Sequence, residues 1–175
     1  MGELRIRRMA EDDIGAVCAI RVRGWQWAYA GLVPQHFLDG LDVAEEAQRR
    51  REFFSEAPAE VVNLVAEHAG SVAGWAAFGP YRDETSGRRD PAHAELYALY
   101  VRPEQTGTGI GRALMTASLD LTRERGYSGM RLWVLKHNAR ARHFYERAGF
   151  APDGVEDAEE LAGALVPEVR YARSL

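Results

Sequence analysis

The chain has 175 residues and a mass of 19.5 kDa, enough for one domain with a sizeable core and short for two. Apolar residues make up 46% and charged residues 27%, which excludes a disordered chain, a collagen and a disulfide scaffold. With 22 Lys+Arg against 26 Asp+Glu the net charge is −4; that balance argues against a general nucleic-acid binder and still allows a local basic pocket for a phosphorylated ligand. Cys18 is the single cysteine, so no intrachain disulfide and no thiolate zinc cluster is expected. Apolar runs fall far short of a membrane span, and residues 1–13 lack the apolar stretch of a signal peptide. The expectation is a soluble cytoplasmic protein, one domain over 1–175, with no membrane or nucleic-acid partner and no metal.

Along the chain, Leu4 to Arg8 alternates apolar and basic residues and reads as a short edge-like strand. Asp12 and Asp13 open an amphipathic helix carrying Ile14, Val17, Cys18, Val22 and Trp25. A turn at Gly31 leads to a second helix started by Pro34, and Val43 to Phe54 is charged and helical. Val61–His68 and Ser71–Phe78 form a hairpin around Ala69-Gly70, with Gly79-Pro80 as its expected stop. The polar stretch 82–91 reads as a loop. Ala94–Val101 is nearly all apolar or aromatic, as in a central strand covered on both faces, and Pro103 stops it. A helix follows from Ile110 to Arg125, ended by Gly126. Met130–Leu135 is a second buried strand, Asn138 caps a helix over Ala139–Ala148, and Val166–Arg173 is a closing strand. The acidic run Glu156–Glu160 reads as a solvated loop rather than a receptor for a cationic amine. This order predicts an α/β fold with helices on both faces of a mixed sheet, the unit from Ala94 to Leu135 being parallel and right-handed.

The most informative segment is the turn Thr106-Gly107-Thr108-Gly109-Ile110-Gly111-Arg112, which joins a buried strand to a helix. Glycines let a ligand approach the backbone closely. The first helical turn leaves N–H groups without partners at the positive end of the dipole, which suits a phosphate or pyrophosphate. A P-loop requires Lys and Ser/Thr after the last glycine, where Arg112 and Ala113 stand. The dinucleotide fingerprint requires a sixth-position glycine after Gly107, and that residue is Arg112. A glycine-rich turn without a ligand stays open at this point.

The run L-Y-V-x-P-x-x-T-G-T-G-I-G-R-A-L from Leu99 to Leu114 resembles the acyl-CoA pyrophosphate motif of the GNAT superfamily of N-acetyltransferases. A second block agrees: Leu132-Trp133-Val134-Leu135, Asn138, Ala141, Phe144-Tyr145-Glu146 and Gly149-Phe150. The run Trp25–Pro34 and the closing E-V-R-Y strand extend the likeness over nearly the whole chain. The resemblance implies a GNAT fold: a mixed, mostly antiparallel sheet, helices on both faces, and a splayed parallel strand pair holding acyl-CoA. It departs at Thr106, where the family usually has Gln or Arg; Gln105 or the Thr106 hydroxyl is the expected substitute.

It further implies that the main chain of Thr106, Gly107, Thr108, Gly109, Ile110, Gly111 and Arg112 holds the pyrophosphate of acetyl-CoA. Leu99, Tyr100 and Val101 would pair through their backbone with the pantetheine arm, their side chains being core, and Asn138 would touch that arm while also capping its helix. Amine attack on a thioester needs a neutral amine, and an alkylamine of pKa about 10.4 is neutral in only about one molecule in 2,500 at pH 7. It also needs a proton for the leaving thiolate. Tyr145 matches the tyrosine that often serves as general acid in the family; packing is its other reading. Glu95, a lone carboxylate opening an apolar strand, is the candidate base, against a solvated strand end; His93 is the weaker choice. Trp25, Trp27, Tyr29 and residues 82–90 would wall the acceptor pocket. The expected function is transfer of an acetyl group from acetyl-CoA to a primary amine of a small molecule or peptide, by direct attack. Cys18 sits far from the motifs and is read as core, so no covalent intermediate is implied. A non-catalytic acyl-CoA sensor or interaction module, a longer acyl group, and a homodimer stay open.

Overall fold

The structure, a computed structural model, describes residues 2–83 and 86–175. Among the described residues seven strands form one sheet, β1 (Leu4–Arg8), β2 (Val62–His68), β3 (Ser71–Arg82), β4 (Arg89–Val101), β5 (Gly129–Leu135), β6 (Ala151–Leu161) and β7 (Ala164–Ser174), in the order β1-β2-β3-β4-β5-β7-β6. Every neighbouring pair is antiparallel except β4–β5. Among the described residues five α-helices accompany it: α1 (Ile14–Ala28), α2 (Gln35–Asp39), α3 (Val43–Phe54), α4 (Ile110–Glu124) and α5 (Ala139–Arg147).

The sheet buries both faces. On one, Ile110, Leu114, Met115 and Leu119 of α4 pack on Leu64, Phe78, Leu96, Met130 and Leu132, with Phe144 and Tyr145 of α5 alongside. On the other, Ile14, Val17 and Cys18 of α1 and Ala47 of α3 pack on Val65, Trp75 and Ala77. A third cluster joins the α1–α2 segment (Val33, Leu38) to Leu135, Leu161 and Val166 at one end of β5 and in the β6–β7 hairpin. That cluster fixes the hairpin opposite the end of α1.

Three expectations are corrected. Gly79-Pro80 does not end β3, which runs on to Arg82. Beyond the Val62–Phe78 pair, β3 has outrun β2, and proline is tolerated in an edge stretch of this kind. The stretch 82–91 is not all loop: β4 starts at Arg89 and pairs with Arg82, and residues 84 and 85 lie outside the described ones. The acidic run is not a loop but part of the edge strand β6, paired with β7 from Glu156 to Leu161. Its residues up to Glu160 are exposed, so no burial pattern marks the strand in sequence.

Candidate active site

The site begins where β4 and β5 part. Their parallel register holds at His93–Gly129, Ala94–Met130 and Glu95–Arg131, and then stops. From Leu96 to Val101 β4 stays paired to β3 alone. The cause lies in that pairing. Phe78 pairs with Leu96 but Ala77 with Ala98, so Tyr97 is one residue too many. A bulge of this kind bends its strand and increases the local twist. The Tyr97 ring passes over Gly79, where a Cβ would stand 2.8 Å from its hydroxyl, and that hydroxyl donates to the Pro80 carbonyl. Burial pushes the Tyr97 phenol up to about 12.

At the far end of β4 lies the glycine turn, and its three glycines act differently. Gly107 (φ +80°) and Gly109 (φ +94°) occupy the left-handed region, which suits glycine. Gly111 has ordinary φ, and a Cβ there would stand 3.4 Å from the Phe144 ring of α5, so it brings α4 and α5 together. The N–H groups of residues 107 to 112 donate to no protein acceptor among the described residues. They face outward at the start of α4, a preformed anion site. The expected substitutes for the missing side chain are turned elsewhere. Thr106 Oγ1 donates to the Pro103 carbonyl at 2.8 Å, and the Gln105 amide lies 3.3 Å from His68 Nδ1.

Between these ends the splay opens a cavity of about 330 Å³. Glu95, Leu96, Tyr97 and Tyr100 of β4 line it, facing Trp133, Val134 and Leu135 of β5. Asn138, Ala141 and Tyr145 close one side; Trp25 and Tyr29 from the end of α1 close another. Glu95, at the apex, is not a solvated strand end: it is 6% exposed. Its carboxylate accepts from the Arg82 N–H (3.1 Å) and the Arg82 guanidinium (3.4 Å). His93 is outside the cavity lining, and its Nδ1 meets Asp90 at 2.8 Å. Asn138 caps α5 by accepting from the Ala141 N–H at 3.1 Å and lines the cavity.

Tyr145 is held by ring contacts to Phe144 and Phe150, with centroids 5.4 and 6.2 Å away. Its helix is tied to β7, because Tyr171 donates to Glu146 and accepts from Arg142, each at 2.8 Å. The Tyr145 hydroxyl has no protein partner among the described residues and lines the cavity. Burial raises its phenol well above the usual tyrosine value. Leu99 and Val101 pack into the core, as expected. The Tyr100 ring packs on the other core, stacking on Trp75 and passing Gly24 of α1, and its hydroxyl accepts from Trp25 Nε1 at 2.8 Å. Trp25 and Tyr29 line the cavity, whereas Trp27 turns away and lies under the Arg140 guanidinium. Cys18 is fully buried in the core. Tyr97, Trp133 and the acidic side chains of β6 and β7 (Asp157, Glu159, Glu168) also line the cavity. Sequence reasoning missed Tyr97, Trp133 and Glu168 and set the run holding Asp157 and Glu159 aside as a loop, since bulges and edge-strand alternation leave no local mark there.

A GNAT acetyltransferase has this combination of splayed strands and anion turn, and the comparisons with known proteins agree. The family model described as "Acetyltransferase (GNAT) family" matches residues 21–150. The uncharacterized N-acetyltransferase YuaI of Bacillus subtilis is 30% identical over 94% of this chain and 89% of its own. The spermidine N(1)-acetyltransferase of Thermoplasma acidophilum is 24% identical over 89% of this chain and 91% of its own. Among solved structures, the PaiA N-acetyltransferase of Thermoplasma acidophilum in complex with coenzyme A superposes with a TM-score of 0.71 at 19% identity, covering 99% of both chains. The chain belongs to the acetyltransferase (GNAT) family. It is an acetyltransferase, and acetyl-CoA is its co-substrate. Among the described residues no side-chain cluster suits a metal, and no helix is long and apolar enough to cross a membrane.

Proposed function

We propose that the protein transfers an acetyl group from acetyl-CoA to a primary amine by direct attack on the thioester. The observation that carries this reading is the parting of β4 from β5 beyond the Glu95–Arg131 pair. It leaves one edge of β4 open between an anion turn at one end and a buried carboxylate at the other.

The N–H groups of residues 107–112, with Arg112 beside them, would hold the pyrophosphate. The open edge of Leu99, Tyr100 and Val101 would take the pantetheine amides as an added strand, and the Asn138 NH₂ group would touch that arm. An N–H of this edge would also polarise the thioester carbonyl. The amine gives up a proton towards Glu95, directly or through water, as its nitrogen attacks the carbonyl carbon. The tetrahedral centre then collapses: the C–S bond breaks, and the thiolate takes the Tyr145 proton. An amide and free CoA thiol result. A phenol whose ionisation is raised keeps that proton throughout the neutral range. The spermidine-acetylating relative supports an amine as acceptor.

The test has two parts. CoA and acetyl-CoA bind only the folded chain, so a hundredfold excess over Kd should stabilise it by about 2.7 kcal/mol, and Gly109→Glu should abolish the shift by blocking and repelling phosphate. An amine panel should then release thiol from acetyl-CoA. A shift without any thiol release would make the chain an acyl-CoA sensor; no shift at millimolar CoA would end the proposal.

A further inference from the structure

The end of α1 meets β4 through a pair of phenols. Tyr29, the C-terminal cap of α1, is held by ring contact to Trp25, with centroids 4.8 Å apart. Its hydroxyl is hydrogen-bonded to that of Tyr100. The Trp25 indole N–H donates to the same Tyr100 oxygen at 2.8 Å. All three side chains line the cavity, as does Tyr145. An indole nitrogen can only donate, and a phenol oxygen has two acceptor positions and one proton. Trp25 takes one acceptor position of Tyr100. Whichever phenol donates in the other bond, one O–H of the pair has no acceptor among the described residues.

The direction of that bond gives the spare proton to Tyr100. Burial raises the Tyr100 phenol, and the bonds from Tyr29 and Trp25 oppose the rise; burial also raises Tyr29, and there the same bond adds to it. An acceptor is eased towards its anion and a donor is held back, so Tyr100 accepts from both and its own O–H points into open space. Its neighbour there is Tyr145. The Tyr100 charge acts on Tyr145 and the Tyr145 charge on Tyr29, so the three phenols share one part of the cavity. Arg21 and Glu159 also act on Tyr100, with opposite signs, and Glu168 acts on Tyr29. Tyr145 needs such a neighbour. Burial lifts its phenol well above the usual value, whereas an alkyl thiol such as cysteine titrates at about 8.5. Proton transfer from Tyr145 to a leaving thiolate therefore runs uphill unless the phenolate is stabilised as it forms. A hydrogen bond to the charged form does this, and bonds of that kind are among the strong ones.

We propose that Tyr100 is a positioning residue for the acid step: with Trp25 and Tyr29 donating to its oxygen, it turns its own O–H to the Tyr145 oxygen as Tyr145 releases its proton to the thiolate. The S–H bond forms as the Tyr145 O–H bond breaks. Tyr100 keeps its proton throughout, and the Tyr145 phenolate regains one from water after the products leave. This rests on the acetyl-transfer reading above.

The test is a double-mutant cycle in kcat, read as thiol release at saturating acetyl-CoA. The acceptor is whichever of n-butylamine, spermidine and a peptide with a free α-amine reacts fastest. Tyr100→Phe keeps the ring contacts to Trp75 and Gly24, so KM for acetyl-CoA should hold. Its kcat should fall by about ten- to a hundredfold, the worth of a hydrogen bond to a charged group. In a Tyr145→Phe background the same change should cost less than about twofold, because the group it acts through is gone. Tyr29→Phe leaves the Tyr100 proton in place and removes one bond that orients it. It should cost about two- to tenfold, again only where Tyr145 is present, and it carries the cycle should Tyr100→Phe not fold. Equal losses in both backgrounds, or an unchanged kcat in both Tyr100→Phe and Tyr29→Phe, would assign the pair to the cavity wall. Either result overturns the inference and leaves acetyl transfer standing. No thiol release from the wild type with any of the three acceptors counts against acetyl transfer itself and takes this inference with it.

Discussion

Tyr145→Phe isolates one oxygen atom. The ring contacts to Phe144 and Phe150 do not involve that atom. The hydroxyl serves no protein acceptor among the described residues, so its loss leaves no buried group unsatisfied. Stability should therefore change by no more than about 0.5 kcal/mol, and the CoA-induced thermal shift should be unaltered. Turnover should fall by about 10²- to 10⁴-fold, which raises the barrier by about 2.7–5.5 kcal/mol. The assay is steady-state thiol release at saturating acetyl-CoA, with KM for acetyl-CoA as the control. The loss should fall on kcat. Since burial lifts the phenol above its usual value near 10, this group should cause no fall in wild-type rate on the alkaline side below about pH 10. A variant with unchanged kcat would refute the proton transfer and assign Tyr145 to packing.

Glu95→Gln should lower the rate most near neutral pH, where almost all acceptor is ammonium, and should converge on wild type near pH 10 as the amine (pKa about 10.4) becomes neutral unaided; an equal loss at every pH in the pH–rate profile would make Glu95 a positioning residue. Asp13, buried at the start of α1, accepts from both terminal nitrogens of Arg7 (2.7 and 2.9 Å) and from the Ala10 N–H (2.8 Å), and the Arg7 bonds lower its pKa. A lowered carboxylate contributes stability that is present above its unfolded value, about 3.9, and lost as pH falls through the folded value; Asp13→Asn should cost about 1–3 kcal/mol at pH 7, and in denaturant melts the gap to wild type should close in acid.

Legibility followed the range of the forces involved. The anion turn was readable because its chemistry is local: Gly107 and Gly109 answer a positive φ, and the helix start leaves its own N–H groups open. Asn138 as a cap was readable for the same reason. The core strands announced themselves through burial on both faces. Other features arise from pairing between distant segments and could not be read in place. Nothing near Tyr97 says that it has no partner on β3; that depends on register with Ala77 and Phe78. The run Glu156–Glu160 looked like a loop because both faces of an exposed edge strand are polar. Only the β7 register and buried Leu161 show which of its carboxylates turn inward. Thr106 was expected to replace a missing ligand side chain, yet its hydroxyl closes the turn on Pro103, a local bond that competes with any outward role.

The bulge ties these parts together. Before it, β4 has partners on both sides, and Glu95 is the last residue paired with β5. After it, β4 follows β3 alone. The carboxylate therefore sits at the one point where a buried strand acquires an open edge, shielded yet within reach of whatever enters the gap. The residue that makes the bulge also helps set the charge there. The Arg82 guanidinium lies 4.2 Å from the Tyr97 ring centroid and 3.4 Å from Glu95. Stacking on the ring restricts the arginine, and the contact to Glu95 supplies the cation that a buried carboxylate needs. A single extra residue in β4 thus accounts for the opening between β4 and β5. It also accounts for the placement of the carboxylate beside it and for the cation that keeps that carboxylate inside the fold.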